Sequence, residues 1–134
     1  MFGGGLRPIR LAPIDRGCIN TVVFLAVDKA KDGKETWIDK TDKKLYLTAK
    51  THPWDMDATD SDALFKVLGT IPDADEPGRI VFTISEEQSY ISPDALYFFD
   101  IVETDDDGTS NAHRLAIGQF NVLGGANNAQ TGGR

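Results

Sequence analysis

At 134 residues, with 40% hydrophobic and 26% charged side chains, the chain is sized for one globular domain that buries a real core. Its 14 basic and 21 acidic residues, a net charge of −7, argue against a nucleic-acid partner or an anionic membrane surface, both of which require a basic face. No apolar run approaches the roughly 20 residues of a membrane span. The N-terminal MFGGGLRPIR lacks the apolar stretch of a signal peptide, and the lone Cys18 admits no internal disulfide, which fits folding in a reducing cytoplasm.

In chain order, Gly3, Gly4 and Gly5 open a segment too poor in apolar side chains to offset its ordering entropy, so residues 1–8 read as an arm. Ile9 and Leu11 alternate with Arg10 in a first strand that Pro13 ends. Ile19 to Val27, INTVVFLAV, is nearly continuous and β-branched, and predicts a strand covered on both faces. Asp32-Gly33 marks a turn. Leu45, Leu47 and Ala49 alternate with Tyr46, Thr48 and Lys50 as a half-buried strand that stops before Pro53. Ala63 to Ile71 suits either a short strand or one or two helical turns.

Pro77-Gly78 leads into the strand RIVFTI, and Ser85 with Gln88 has the S-x-x-Q spacing of a capping box, predicting one helical turn. LYFFDIV, Leu96 to Val102, is the next strand. Asp107-Gly108 then turns the chain into His113–Val122 as a hairpin. Leu115 and Ile117 are out of phase with Phe120 and Val122, and a bulge at Gly118 would restore the phase and bring all four to the core. After Leu123 the composition GGANNAQTGGR returns to that of an arm, either frayed or ordered against neighbouring copies. The division is therefore an N-terminal arm (1–8), a β-domain (9–123) and a flexible tail (124–134). Seven or eight short antiparallel strands at regular spacing, without a long amphipathic helix, predict an all-β, immunoglobulin-like sandwich with flexible Gly-rich termini.

Few residues point to chemistry. WDMDATDSD, Trp54 to Asp62, begins like a calcium loop with Asp55, Asp57 and Thr59 in ligand positions. Asp60 then stands where that loop requires glycine, and Lys66 where it requires a bidentate glutamate, so the stretch reads as a solvated acidic connection. Asp105 to Gly108 reads as a hairpin tip. His52 and His113 sit in no nucleophile or zinc pattern, and although acidic residues are plentiful enough for a glycosidase pair, no motif singles one out. No cofactor motif is present. Trp37 and Trp54 flank the third strand, as a sugar-stacking platform or as core or interface anchors, with Asp55 and Asp57 nearby as possible interaction residues.

The order of segments resembles the β-sandwich domain of small tail collar and upper baseplate proteins of long-tailed bacteriophages. It runs from Asp15-Arg16-Gly17 through a β-branched strand to WIDKTD, then to PGRIVFTIS, ALYFFDIV and RLAIGQFNV. In that family a D-x-T segment opens a core strand, matched here by Asp39 and Thr41. A G-x-(I/V)-x-F-x-(I/L) strand is matched by Gly78, Ile80, Phe82 and Ile84. A Y-x-Y-D-(I/L) strand is matched by Tyr97, Phe99, Asp100 and Ile101, with phenylalanine in place of the second tyrosine. The closing L-x-x-G-x-F-x-V is matched by Leu115, Gly118, Phe120 and Val122.

The resemblance implies a non-enzymatic virion tail protein, assembled in the bacterial cytoplasm. It would form a homo-oligomeric ring that meets tail tube, baseplate hub or fibres, with edge strands first or last in order pairing between neighbours. Head or neck decoration and carbohydrate binding are the other readings that such a sandwich leaves open.

Overall fold

The computed structural model describes residues 8–51, 63–93 and 95–124, and every regular element among them is a strand. In chain order these are β1 (Pro8–Arg10), β2 (Ile14–Asp15), β3 (Asn20–Leu25), β4 (Val27–Lys29), β5 (Glu35–Trp37), β6 (Lys43–Lys50), β7 (Phe65–Leu68), β8 (Arg79–Ile84), β9 (Leu96–Asp105) and β10 (His113–Leu123). Ala63 to Ile71, ambiguous in sequence, contains a strand because Phe65–Leu68 pairs antiparallel with β6.

The main sheet runs β1-β10-β9-β6-β7, with β2 pairing β10 beyond β1. β3 pairs with β8, and β4 with β5, as separate ribbons. The expectation of purely antiparallel strands needs correction, since both β1 and β2 lie parallel to β10. The chain follows β10 in two pieces, bridged by Leu11 N donating to Gln119 O at 3.0 Å. The last strand is consequently interior, not an edge as expected.

Alternation builds the core. Leu45, Leu47 and Ala49 from β6, Tyr97, Phe99 and Ile101 from β9, and Ala116, Phe120 and Val122 from β10 form one buried cluster with Ile80, Phe82 and Ile84 of β8. The Phe120 ring lies 5.5 Å from that of Tyr97, 6.4 Å from that of Phe65 and 6.5 Å from that of Phe99. Each such buried side chain contributes roughly 1.5–3 kcal/mol by leaving water. An all-β chain whose β3–β8 ribbon and main sheet share one core is consistent with a β-sandwich.

The bulge in β10 falls at Leu115, not Gly118: the register with β9 shifts between Arg114 and Ala116. Ala116, Gly118, Phe120 and Val122 therefore share the core face, and Ile117, buried on the other face, does not join them. Between β8 and β9 the capping box closes reciprocally. Gln88 N donates to Ser85 Oγ at 3.0 Å and Ser85 N to Gln88 Oε1 at 2.9 Å, while Ser89 N donates to Ser85 O across a single turn.

Candidate interaction surface

Ile19 to Val27 does not form a strand covered on both faces. Val22 and Phe24 pack against the core and Ala26 is buried, but Ile19, Val23, Leu25 and Val27 are 65, 44, 55 and 36% exposed. The physical reason is the layer structure. An antiparallel ribbon carries the core on one side only, and nothing described lies over the other.

The backbone of this stretch is open as well. Successive residues of an antiparallel strand direct their N–H and C=O to opposite edges. Val81 exchanges both of its bonds with Thr70, at 2.8 and 2.9 Å, so β8 meets β3 through Ile80, Phe82 and Ile84, opposite Phe24, Val22 and Asn20. The same side continues past β3: Ala26 N donates to Gly78 O, Ile38 N to Ala26 O, and Ala30 N to Lys34 O. Thr21, Val23, Leu25, Val27 and Lys29 thus turn their backbone groups to the opposite side, where no described residue bonds them. β3 and β4 together make one continuous open edge.

The two end strands of the main sheet are blunted. β1 has three residues and contains Pro8 and Arg10, while β7 has four and carries Lys66, whose Nζ lies 4.6 Å over the Tyr46 ring. Charge, proline and shortness protect an edge from pairing. From Cys18 to Val27 the β3 edge has none of these.

The residues singled out from the motifs lie elsewhere, in the core and its turns. Asp39 Oδ1 accepts from Thr41 N at 2.8 Å and from Thr41 Oγ1 at 2.5 Å, setting the turn that enters β6. The Thr41 hydroxyl, then its amide, hold the Asp39 carboxyl below the usual carboxylate range. Gly78 lets backbone meet backbone: a Cβ there would stand 2.3 Å from Ala26 O and 3.0 Å from Trp37 Cε3. Phe82 and Phe120 are core residues. Tyr97 is buried with its hydroxyl donating to Ser92 O at 2.6 Å. Asp100 pairs with Arg114 at 3.2 Å across β9 and β10. Gly118 lies between Ile9 and Phe99 in the sheet. Trp37 ends β5, half-buried, against Gly78.

Trp54, Asp55 and Asp57, like the rest of the acidic stretch and His52, lie outside the described residues. The second acidic run is a hairpin tip, as its sequence suggests. Asp107 accepts from the amides of Thr109 and Ser110, both at 2.8 Å, and from the Ser110 hydroxyl. Those bonds, the hydroxyl first, lower its pKa to about 2. Asp105 is held by Lys43 at 2.8 Å and by Asn111. His113 is exposed at the start of β10. Among the described residues no group of three His, Cys, Asp or Glu side chains is placed to hold a metal.

Sequence reasoning missed the β3–β4 edge, although one signal was present. In an antiparallel sandwich a strand has one solvent face, so apolar residues in both phases imply an outer face that needs a cover. Comparison with protein-family models and with curated proteins gives no match.

Proposed function

We propose that the chain is a structural protein of a bacteriophage virion, a tail collar or baseplate component that works through contacts with other protein chains, including copies of itself, rather than through catalysis. The observation that carries this reading is the β3–β4 edge: a strand uncharged from Asn20 to Val27, with exposed apolar side chains and backbone groups that no described residue bonds, suits strand addition. The order of motifs from Asp15 to Val122 supports the phage assignment.

The sandwich is read here as immunoglobulin-like. Two features support that: β3 beside β8 facing a sheet that contains β6, β9 and β10, and a buried Tyr97 near the start of β9 whose hydroxyl reaches back five residues to Ser92 O. In an immunoglobulin sandwich the first strand sits beside the second. In this chain β1 and β2 are drawn to β10 instead, which leaves β3 without that neighbour among the described residues.

The test is location. Particles purified from a lysate of the strain that carries the gene are separated into heads and tails, and each fraction is probed by mass spectrometry and immunogold labelling. Recovery with tails is the expected result. Recovery with heads alone moves the protein to the head or neck, and absence from particles overturns the virion reading.

A further inference from the structure

The geometry points to a second copy of this chain as the occupant of the β3–β4 edge, paired antiparallel about a two-fold axis at Leu25. This rests on the reading of that edge as a contact surface. Thr21, Val23, Leu25, Val27 and Lys29 all present to the same side backbone groups that no described residue bonds. A two-fold at Leu25 uses every one of them. Leu25 faces the partner's Leu25, Val23 faces the partner's Val27, and Thr21 faces the partner's Lys29. Each facing pair exchanges two bonds, roughly ten in all, and the two ribbons become one continuous sheet.

Charge selects this arrangement. Lys29 and Lys31 lie at one end of the edge. Glu86 and Glu87 lie beyond the other end, on the β8 side of β3, in the turn that follows Ile84, the residue opposite Asn20. All four are exposed, and none makes an ion pair within the described residues. Antiparallel pairing on Leu25 brings the partner's Lys29 and Lys31 to the end of the ribbon that holds the Glu86–Glu87 turn, one strand further in, and symmetry repeats this at the other end. On a chain of net charge −7, two copies otherwise repel, and the groups this pairing brings toward the Glu86–Glu87 end are Lys29 and Lys31, which stand among the exposed Asp28 and Asp32.

The contact covers one strand and its flanks. A contact of that extent falls below the ~800 Å² per partner of a standard interface, in the class of weak, reversible associations. A two-fold contact closes on itself, so a ring that includes it holds an even number of chains and needs a second, different contact.

The experiment uses the full chain in a Cys18→Ser background. Facing residues of a hydrogen-bonded pair have Cα atoms about 5.5 Å apart, within disulfide reach. Leu25→Cys is expected to give a covalent dimer on oxidation, whereas Val23→Cys, about four residues from its own copy, is not. Cross-linking of Val23→Cys but not Leu25→Cys overturns the register. Cross-linking of neither, with a monomer at every concentration in sedimentation velocity, overturns the proposal.

Leu25→Lys sets like charges face to face and is expected to weaken the dimer roughly tenfold or more. Its melting temperature should stay unchanged, since the side chain leaves the core side untouched. Unchanged dimerisation in this variant also refutes the pairing. A dimer in a protein absent from particles leaves this inference standing and removes only the virion reading. A protein found on tails that never cross-links does the reverse.

Discussion

Gly118→Ala tests whether the first strand, the last strand and the aromatic core are built around one missing side chain. Gly118 pairs with Phe99 on one side and Ile9 on the other. A Cβ added there would stand 2.0 Å from Ile9 O, 2.5 Å from Phe99 Cε1 and 2.7 Å from Phe99 Cζ. None of these is the far end of a flexible side chain: one is backbone in a sheet, and two belong to a ring that is 2% exposed. Overpacking of a close-packed site destabilises by about 1–3 kcal/mol, and two rigid obstacles place this variant at the upper end. For a domain of this size, 3 kcal/mol lowers the melting temperature by roughly 10 °C.

The assay is thermal and urea unfolding followed by near-ultraviolet circular dichroism, with amide hydrogen exchange at Leu11. Leu11 N bonds Gln119 O, so its amide reports whether β1 stays docked. Relief of the clash by expulsion of β1 would show as lost protection at Leu11 with a smaller fall in stability. A variant that melts within about 2 °C of the parent and keeps Leu11 protected would refute the close-approach argument.

Two further outcomes are expected. Tyr97→Phe keeps the ring in its stack with Phe120 but removes the 2.6 Å bond to Ser92 O. It should cost about 1 kcal/mol in urea unfolding, and no measurable loss would show that the hydroxyl does not anchor the 89–96 connection. The Asp107 carboxyl, lowered to about 2, should titrate by NMR well below the ordinary value of 3.8. Because its folded pKa is depressed, its contribution is present above the unfolded pKa and lost as pH falls through about 2. A midpoint near 3.8 would mean that the Ser110 and Thr109 bonds do not persist in solution.

Much of the fold was legible residue by residue. The alternation of Leu45, Leu47 and Ala49 against Tyr46 and Thr48 marks a strand because side chains of a strand alternate faces. Gly33 and Gly108, with φ of 89° and 82°, are the turn positions their Asp-Gly dipeptides suggest. Ser85 and Gln88 exchange the two bonds their spacing implies.

The bulge was misplaced because apolar phase alone asks for Ile117 in the core, which takes an extra residue between Ile117 and Phe120, whereas the extra residue at Leu115 leaves Ile117 buried on the other face. Gly118 cannot be that residue, since its missing side chain is what admits Ile9 and Phe99 in register. The candidate surface was hidden in the same way. Val23 and Leu25 have the same hydropathy whether a neighbour covers them or not.

Sequence alone therefore determined where most strands form, that Leu45, Leu47 and Ala49 of β6 share one face, and how the turns close, because these depend on neighbours within a few positions. Only the tertiary structure decided that β1 and β2 run parallel along β10, that the extra residue of β10 is Leu115, and that β3–β4 is an open edge. Those depend on which strand wins a place in a sheet, a competition between segments a hundred residues apart that no local pattern records. Among the described residues the edge is open, and β1 and β2 pair with β10 rather than with β3.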